Sequence, residues 1–218
     1  MAELGLNASQ IIALVIGTSF AAGLNVYAML GTLGVLGRVH AIALPPALHL
    51  VQNPVVIVIA WAMFVLHFFA DKIPAFDLIW NALHTFIRIP LAALVAYAAT
   101  SQLSPETQIA STALAGVIAA VAHTGKFAAR AAVTPSPEPF SNAALSVAED
   151  ATSVGLTWFA TAHPFWAAIL AIVLVAGAVV LIWLFARGAK ALFRRALNQL
   201  RGRRPSEPQP QLTLPPVA

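Results

Sequence analysis

The chain has 218 residues, of which 60% are hydrophobic and only 9% are charged, whereas charged residues make up about a quarter of a typical soluble domain. The mean hydropathy of +0.83 comes from apolar runs spread along most of the chain, which excludes a soluble protein with a single leader or anchor. Because the chain contains no cysteine, disulfides, thiolate metal ligands and cysteine nucleophiles are excluded as well.

Six hydrophobic runs predict membrane-spanning helices, because a helix needs roughly 20 apolar residues to cross the hydrocarbon core of a bilayer. In chain order the runs cover residues 11–37, 54–70, 76–99, 109–121, 140–160 and 165–185, and the fourth is expected to continue as a helix through Arg130. The expected fold is therefore all-α: a polytopic transmembrane helical bundle over residues 1–190. Residues 191–218 are expected to form a basic juxtamembrane segment and a disordered Pro-rich tail.

The first and sixth runs differ in their polar content. The first is long for one span and has small or polar residues near its middle, among them Thr18, Ser19, Gly23 and Asn25, which indicates a broken or tilted helix. The sixth follows Pro164 and is uniformly apolar, as expected of a lipid-facing anchor.

Two stretches of the chain resemble each other and suggest an internal repeat. Residues 60–72 read AWAMFVLHFFADK and are followed by IPAF, while residues 115–126 read AGVIAAVAHTGK and are followed nearby by PEPF. In one interpretation helices two and three duplicate helices four and five, as in transporters with repeated halves. The other interpretation is a chance similarity between Ala-rich apolar runs.

The basic residues are concentrated at the C-terminal end. Seven of the twelve Lys and Arg lie between Arg187 and Arg204, just beyond the last apolar run. This placement favours a cytoplasmic juxtamembrane segment that binds anionic lipid, and it disfavours nucleic acid as a partner. With six crossings, both termini are expected in the cytoplasm, together with Lys72, Lys126 and Arg130.

Ionisable residues inside the spans are the main functional candidates, because a charge at membrane depth is costly unless it is paired or hydrated. The candidates are His84 and Arg88 on the third helix and Glu149 and Asp150 on the fifth. We predict that Arg88 pairs with Glu149 or Asp150. Such a pair either locks two helices together or belongs to a proton or ion pathway, in which His84 titrates near neutral pH.

A second polar cluster is predicted near the cytoplasmic ends of helices two and four. His67 and Asp71 are four residues apart, and the repeat would bring His123 beside them. A divalent metal is one interpretation, but the spacing lacks the density of a metal motif, so solvated helix ends and no bound metal are preferred.

Two proline-containing segments, residues 71–77 and 134–142, are the remaining candidates. They are either turns followed by a helix cap, with Ser141 and Asn142 as capping residues, or irregular segments that dip into the membrane. In the second case helix N-termini beside Lys72, Lys126 and Arg130 would hold an anion such as phosphate or a lipid headgroup.

The chain has no glycine-rich nucleotide loop, nucleophile elbow or zinc-protease motif, so we expect neither an enzyme nor a bound cofactor. The strings GLNVYA, ADKIPAFDLIWNALHTFIR and SPEPFSNAALSVAED resemble a bacterial family of multi-pass membrane proteins known as domain of unknown function 4126. The resemblance implies a membrane location but no activity, and we expect the membrane to be the bacterial inner membrane.

The functional hypothesis is a transporter or channel-like protein for an ion or small solute. The alternative is a non-transport scaffold or a lipid-headgroup-binding protein, and either could form oligomers. A hydrated cavity that reaches the buried charges would separate the two, since a scaffold can pack its charges dry.

Overall fold

The computed structural model describes residues 6–70, 74–133 and 139–202. Within these ranges the chain forms six α-helices and one short 3₁₀ helix, Pro46–Gln52. The α-helices are α1 (Ala8–Arg38), α2 (Pro54–Ala70), α3 (Pro74–Ala99), α4 (Pro105–Val133), α5 (Pro139–Ala162) and α6 (Pro164–Gly202). The predicted all-α helical bundle is confirmed.

Every helix after α1 begins at a proline, at positions 54, 74, 105, 139 and 164. The first residue of a helix has no intrahelical partner for its N–H group, so proline costs nothing there and its fixed φ suits the helix. These prolines explain why the helix starts agree closely with the starts of the hydrophobic runs.

The helices are those of a membrane protein. In the described part of the chain, four helices are long and apolar enough to cross a bilayer by length and composition: α1, α3, α4 and α6. The 3₁₀ helix and α2 form a fifth candidate as a pair bent by 63°. The helix α5 is long enough at 24 residues, but it is not among these candidates and carries Glu149 and Asp150 near its centre.

The first helix lies at the centre of the bundle. About 89% of its apolar span is buried, against 17% for α6, and it packs against α2, α3, α4 and α5. Small residues make this close packing possible: a Cβ added at Gly23 would lie 2.6 Å from the Cβ of Ala122 and would overlap the backbone at Ala119. Helix association within lipid depends on such close contacts.

The central helix is broken at Asn25, as the sequence indicated. Its φ of −152° and ψ of 100° are extended, so the helical hydrogen bonds stop there and restart. The side-chain Oδ1 of Asn25 accepts hydrogen bonds from the N–H groups of Tyr27 (3.1 Å) and Ala28 (3.2 Å), which caps the second half of α1.

The chain divides into two compact units, residues 1–182 and 183–218. The first contains the bundle. The second contains the C-terminal part of α6, which is helical to Gly202, and in it the guanidinium of Arg187 lies 5.3 Å from the ring centre of Trp183. The predicted disorder of the Pro-rich tail concerns residues 205–218, which lie outside the described ranges.

Candidate functional site

Polar side chains from α4 and α5 converge on the break in α1. The amide of Asn25 donates a hydrogen bond to Asp150 Oδ1 at 2.8 Å. The hydroxyl of Ser153 donates to the main-chain oxygens of Ala21 (3.0 Å) and Asn25 (2.9 Å), and Lys126 Nζ lies 3.4 Å from the oxygen of Leu24. These contacts bind main-chain oxygens at the break and in the turn before it.

A buried ion-pair triad adjoins the break. Glu149 Oε2 lies 3.0 Å from Lys126 Nζ and 2.7 Å from Arg130 Nη2. All three side chains are at least nine-tenths buried, so the two cations stabilise a carboxylate that would be costly alone. We call Asn25, Lys126, Glu149, Asp150 and Ser153 the break site.

A second buried cluster surrounds Arg88, whose side chain is fully buried. Its guanidinium contacts a ring nitrogen of His67 on α2, lies 3.0 Å from His123 Nδ1 on α4 and donates to Asn81 Oδ1 at 3.3 Å. We call Arg88, His67, Asn81 and His123 the arginine cluster. It joins α2, α3 and α4 through one side chain.

The hydrogen bonds of His123 assign its tautomer. Because a guanidinium can only donate, Nδ1 of His123 accepts from Arg88 and its proton lies on Nε2. That Nε2 is 2.7 Å from the hydroxyl of Thr85, which in turn donates to the carbonyl of Asn81 at 3.0 Å. His123 is therefore a neutral link in an ordered hydrogen-bond chain.

Aromatic rings enclose the other side of the arginine cluster. The indole N–H of Trp80 donates to His67 Nδ1 at 2.7 Å, and the ring centre of His84 lies 4.3 Å from that of Trp80. Tyr27, two residues after the break in α1, meets His84 edge to face at 5.7 Å. This contact brings the arginine cluster next to the break site.

A comparison with known protein families places these features in a shared domain. The family described as Domain of unknown function (DUF4126) matches residues 12–184, which is most of the chain. The chain belongs to the DUF4126 family. No curated protein and no solved structure matches it. The matched residues contain both clusters, so the break site and the arginine cluster lie within the DUF4126 domain.

The prediction that Arg88 pairs with Glu149 or Asp150 is wrong. In the described part of the chain these residues bind other partners. In this DUF4126 domain Arg88 binds His67, His123 and Asn81, while Glu149 binds cations of α4. The physical reason is the position of α1: both α3 and α5 pack on the central helix. The carboxylate of Asp150 meets Asn25 there.

The second predicted cluster is partly brought together, but not as solvated helix ends. His67 and His123 are buried and both face Arg88, so a guanidinium lies where the metal hypothesis would put an ion. Lys126 and Arg130 are likewise buried, and both bind Glu149.

The remaining residues of the predicted second cluster lie mostly outside the described residues. Ser141 is half-buried in the first turns of α5. Asp71, Lys72 and the side chain of Asn142 lie outside the described residues, as does most of the second proline-containing segment. Membrane-dipping segments therefore remain a prediction, as does the internal repeat.

Sequence reasoning missed several members of the two clusters. Asn81 precedes Arg88 by seven residues, and Ser153 follows Glu149 by four. Residues three, four and seven apart share one face of a helix, so extending the search from the charged residues to neutral polar ones at this spacing would have found them.

Proposed function

We propose that the protein moves an ion or a small solute across the bacterial inner membrane, with the break site as its polar centre. The observation that carries the proposal is the interruption of the central helix at Asn25, deep in the bundle and surrounded by charged side chains from α4 and α5. Interrupted helices at such positions are typical of secondary transporters, where their carbonyl groups and helix ends form ion and substrate sites.

The chemistry of the break site suits a small cation or a proton. The ammonium of Lys126 lies between the carbonyl oxygen of Leu24 and the carboxylate of Glu149. Small hard cations prefer such oxygen ligands, so the ammonium of Lys126 occupies a position that a transported cation could share in another step of the cycle. Asp150 supplies a second carboxylate at the same break.

The arginine cluster has a different role in this proposal. It binds α4 through a charge-assisted hydrogen bond to His123 and contacts His67 of α2, which makes α2, α3 and α4 a fixed frame. The break in α1 is then the element whose local rearrangement opens and closes access to the break site. A transporter needs a rigid part and a part that changes conformation. In this proposal the arginine cluster holds the rigid part together, and the break site belongs to the part that changes conformation.

The proposed orientation has both termini in the cytoplasm. The cationic residues Arg187, Lys190, Arg194 and Arg195 follow the apolar part of α6 on one continuous helix, and positive charge is retained on the cytoplasmic side. This orientation requires α2 with its preceding 3₁₀ helix, and also α5, to cross the membrane, which gives six crossings.

The test is ion flux into proteoliposomes under defined proton, sodium and potassium gradients. We expect Asp150→Asn to fold normally and to lose flux, because the amide keeps an oxygen that accepts from Asn25 but loses the charge. Glu149→Gln should lower the yield of folded protein, because it leaves Lys126 and Arg130 without their carboxylate.

The matched control is Glu106→Gln, since Glu106 lies exposed in the first turn of α4. Flux of this variant should equal that of the unmodified protein. If the unmodified protein shows no flux under any of these gradients although it is folded and inserted, the scaffold or lipid-headgroup-binding alternative becomes the better account.

A further inference from the structure

The buried ionisable side chains of the bundle are unevenly distributed along its helices. On α2 and α4 they lie in the C-terminal half of the helix, and on α3 and α5 they lie near or before its middle. In the described part of the chain this set comprises His67, His84, Arg88, His123, Lys126, Arg130, Glu149 and Asp150. The directions of the four helices show which side of the bundle these residues are nearest.

The four helices place the set toward one side of the bundle. Thr85 of α3 lies 2.7 Å from His123 of α4, and Tyr97, later on α3, accepts a hydrogen bond from Gln108, which comes earlier on α4. The two helices are therefore antiparallel. Three residues join α2 to α3 and five join α4 to α5. Five residues reach at most about 20 Å, which is less than the length of α5, about 36 Å. So α2 and α4 end, and α3 and α5 begin, on one side, which we call the connection side.

The half of the bundle away from the connection side is apolar and closely packed. Alanines of α3, α4 and α5 form much of its interior: Ala92, Ala96, Ala99, Ala115, Ala119 and Ala160. A Cβ added at Gly17 of α1 would lie only 2.9 Å from the Cβ of Ala160. The hydroxyls of Thr100 and Thr157 donate to main-chain oxygens four residues earlier, both at 2.7 Å. Water therefore finds little space and few hydrogen-bond partners in this half.

A buried hydroxyl lies between the connection side and the break site. Ser146 of α5 is fully buried, and its hydroxyl has no hydrogen-bond partner among the described residues. It lies one helical turn before Asp150 and two turns before Ser153, on the same face of α5. A buried hydroxyl without a partner is costly, and an ordered water molecule commonly supplies the missing hydrogen bond in native proteins. The position of Ser146 therefore indicates water beside the break site.

We propose that a hydrated path leads from the connection side past Ser146 to the break site, and that the opposite half of the bundle is closed in this structure. An ion inside a membrane protein needs polar or water partners at each step, and the described residues provide them on the connection side. The proposal rests on the proposed transport function, in which the connection side is cytoplasmic. The transported species then enters and leaves the break site from the cytoplasm in this state.

The test is labelling of a single cysteine from each face of the membrane. Because the chain has no cysteine, Ser146→Cys introduces its only thiol. Inside-out and right-side-out membrane vesicles are treated with a trimethylammonium methanethiosulfonate reagent, which is small, charged and membrane-impermeant. We expect Ser146→Cys to react about tenfold faster or more from the cytoplasmic face, because the charged reagent would otherwise have to cross the apolar half.

Two further variants are the matched controls. Ser104→Cys lies at an exposed position between α3 and α4, so it should react only from the face opposite to that of Ser146→Cys, whichever way the protein is inserted. Ala115→Cys, in the apolar half, should react from neither face. If Ser146→Cys does not accumulate in folded form, Ser153→Cys is measured from the same two faces in its place.

Three results would overturn the proposal: faster labelling of Ser146→Cys from the face that labels Ser104→Cys, equal rates from the two faces, or no labelling from either. Ion flux into proteoliposomes separates this failure from failure of the transport function. Flux together with any of the three results would retain transport and refute the path. Labelling from the cytoplasmic face without flux under any gradient would retain the path and refute transport.

Discussion

At the residue scale, the buried charged side chains in the described part of the bundle bind partners on other helices. Arg88 is fully buried and binds side chains of α2, α3 and α4, and Glu149 of α5 binds two cations of α4. In lipid a lone charge costs several kcal/mol, so these contacts decide which helices can be neighbours.

The first prediction concerns the geometry of the guanidinium. Arg88→Lys keeps the charge, but one ammonium cannot span His67, His123 and Asn81, so we expect a loss of about 2–3 kcal/mol in the free energy of unfolding. Denaturant unfolding in micelles measures it. Arg38→Lys is the control, because Arg38 is exposed at the end of α1. Equal stability of the two variants would contradict a specific role for Arg88.

At the element scale, much of the fold was predictable because local signals define each helix. Proline and apolar runs gave the start of α2 to the residue and the start of α6 to within one residue, and the polar residues of the first run indicated its break. The interaction partners of the charged side chains were not predictable, because they depend on how the helices are arranged in the bundle. The sequence shows opposite charges at Arg88 and Glu149, but not that α1 lies between their helices.

The second prediction concerns the cap at the break. Asn25→Ala removes the acceptor for two backbone N–H groups and the bond to Asp150, so we expect a loss of about 2 kcal/mol in the free energy of unfolding. Asn7→Ala removes the exposed cap at the start of the same helix and should cost only about 1 kcal/mol. The same unfolding measurement compares them, and a larger effect at Asn7 would argue against a structured break.

At the scale of the whole molecule, the bundle is organised around a helix that is broken where its surroundings are most polar. The break site and the arginine cluster both include residues of α4, and the aromatic contact of Tyr27 and His84 lies next to the break. A break that served packing alone would need no carboxylates, whereas a transport site needs both irregular backbone and charge.

The third prediction concerns topology. A phosphatase reporter, which is active only outside the cytoplasm, should be inactive when fused after Arg204, whereas a fluorescent or cytoplasmic reporter should be active there. Fusion in the segment after α3, at Gln102, should give the opposite pattern. Phosphatase activity of the fusion after Arg204 would reverse the orientation of every segment.

The most direct test of the account is whether water reaches the break in α1. Because the chain has no cysteine, Ser153→Cys introduces its only thiol, at a side chain that contacts Asn25. A small, charged, membrane-impermeant thiol reagent applied to the protein in membranes should label Ser153→Cys and should leave Ala115→Cys, in the apolar core, unlabelled. Labelling of Glu106→Cys, at an exposed position, confirms that the reagent works. If Ser153→Cys is as unreactive as Ala115→Cys, the break is dry and the transport account is contradicted.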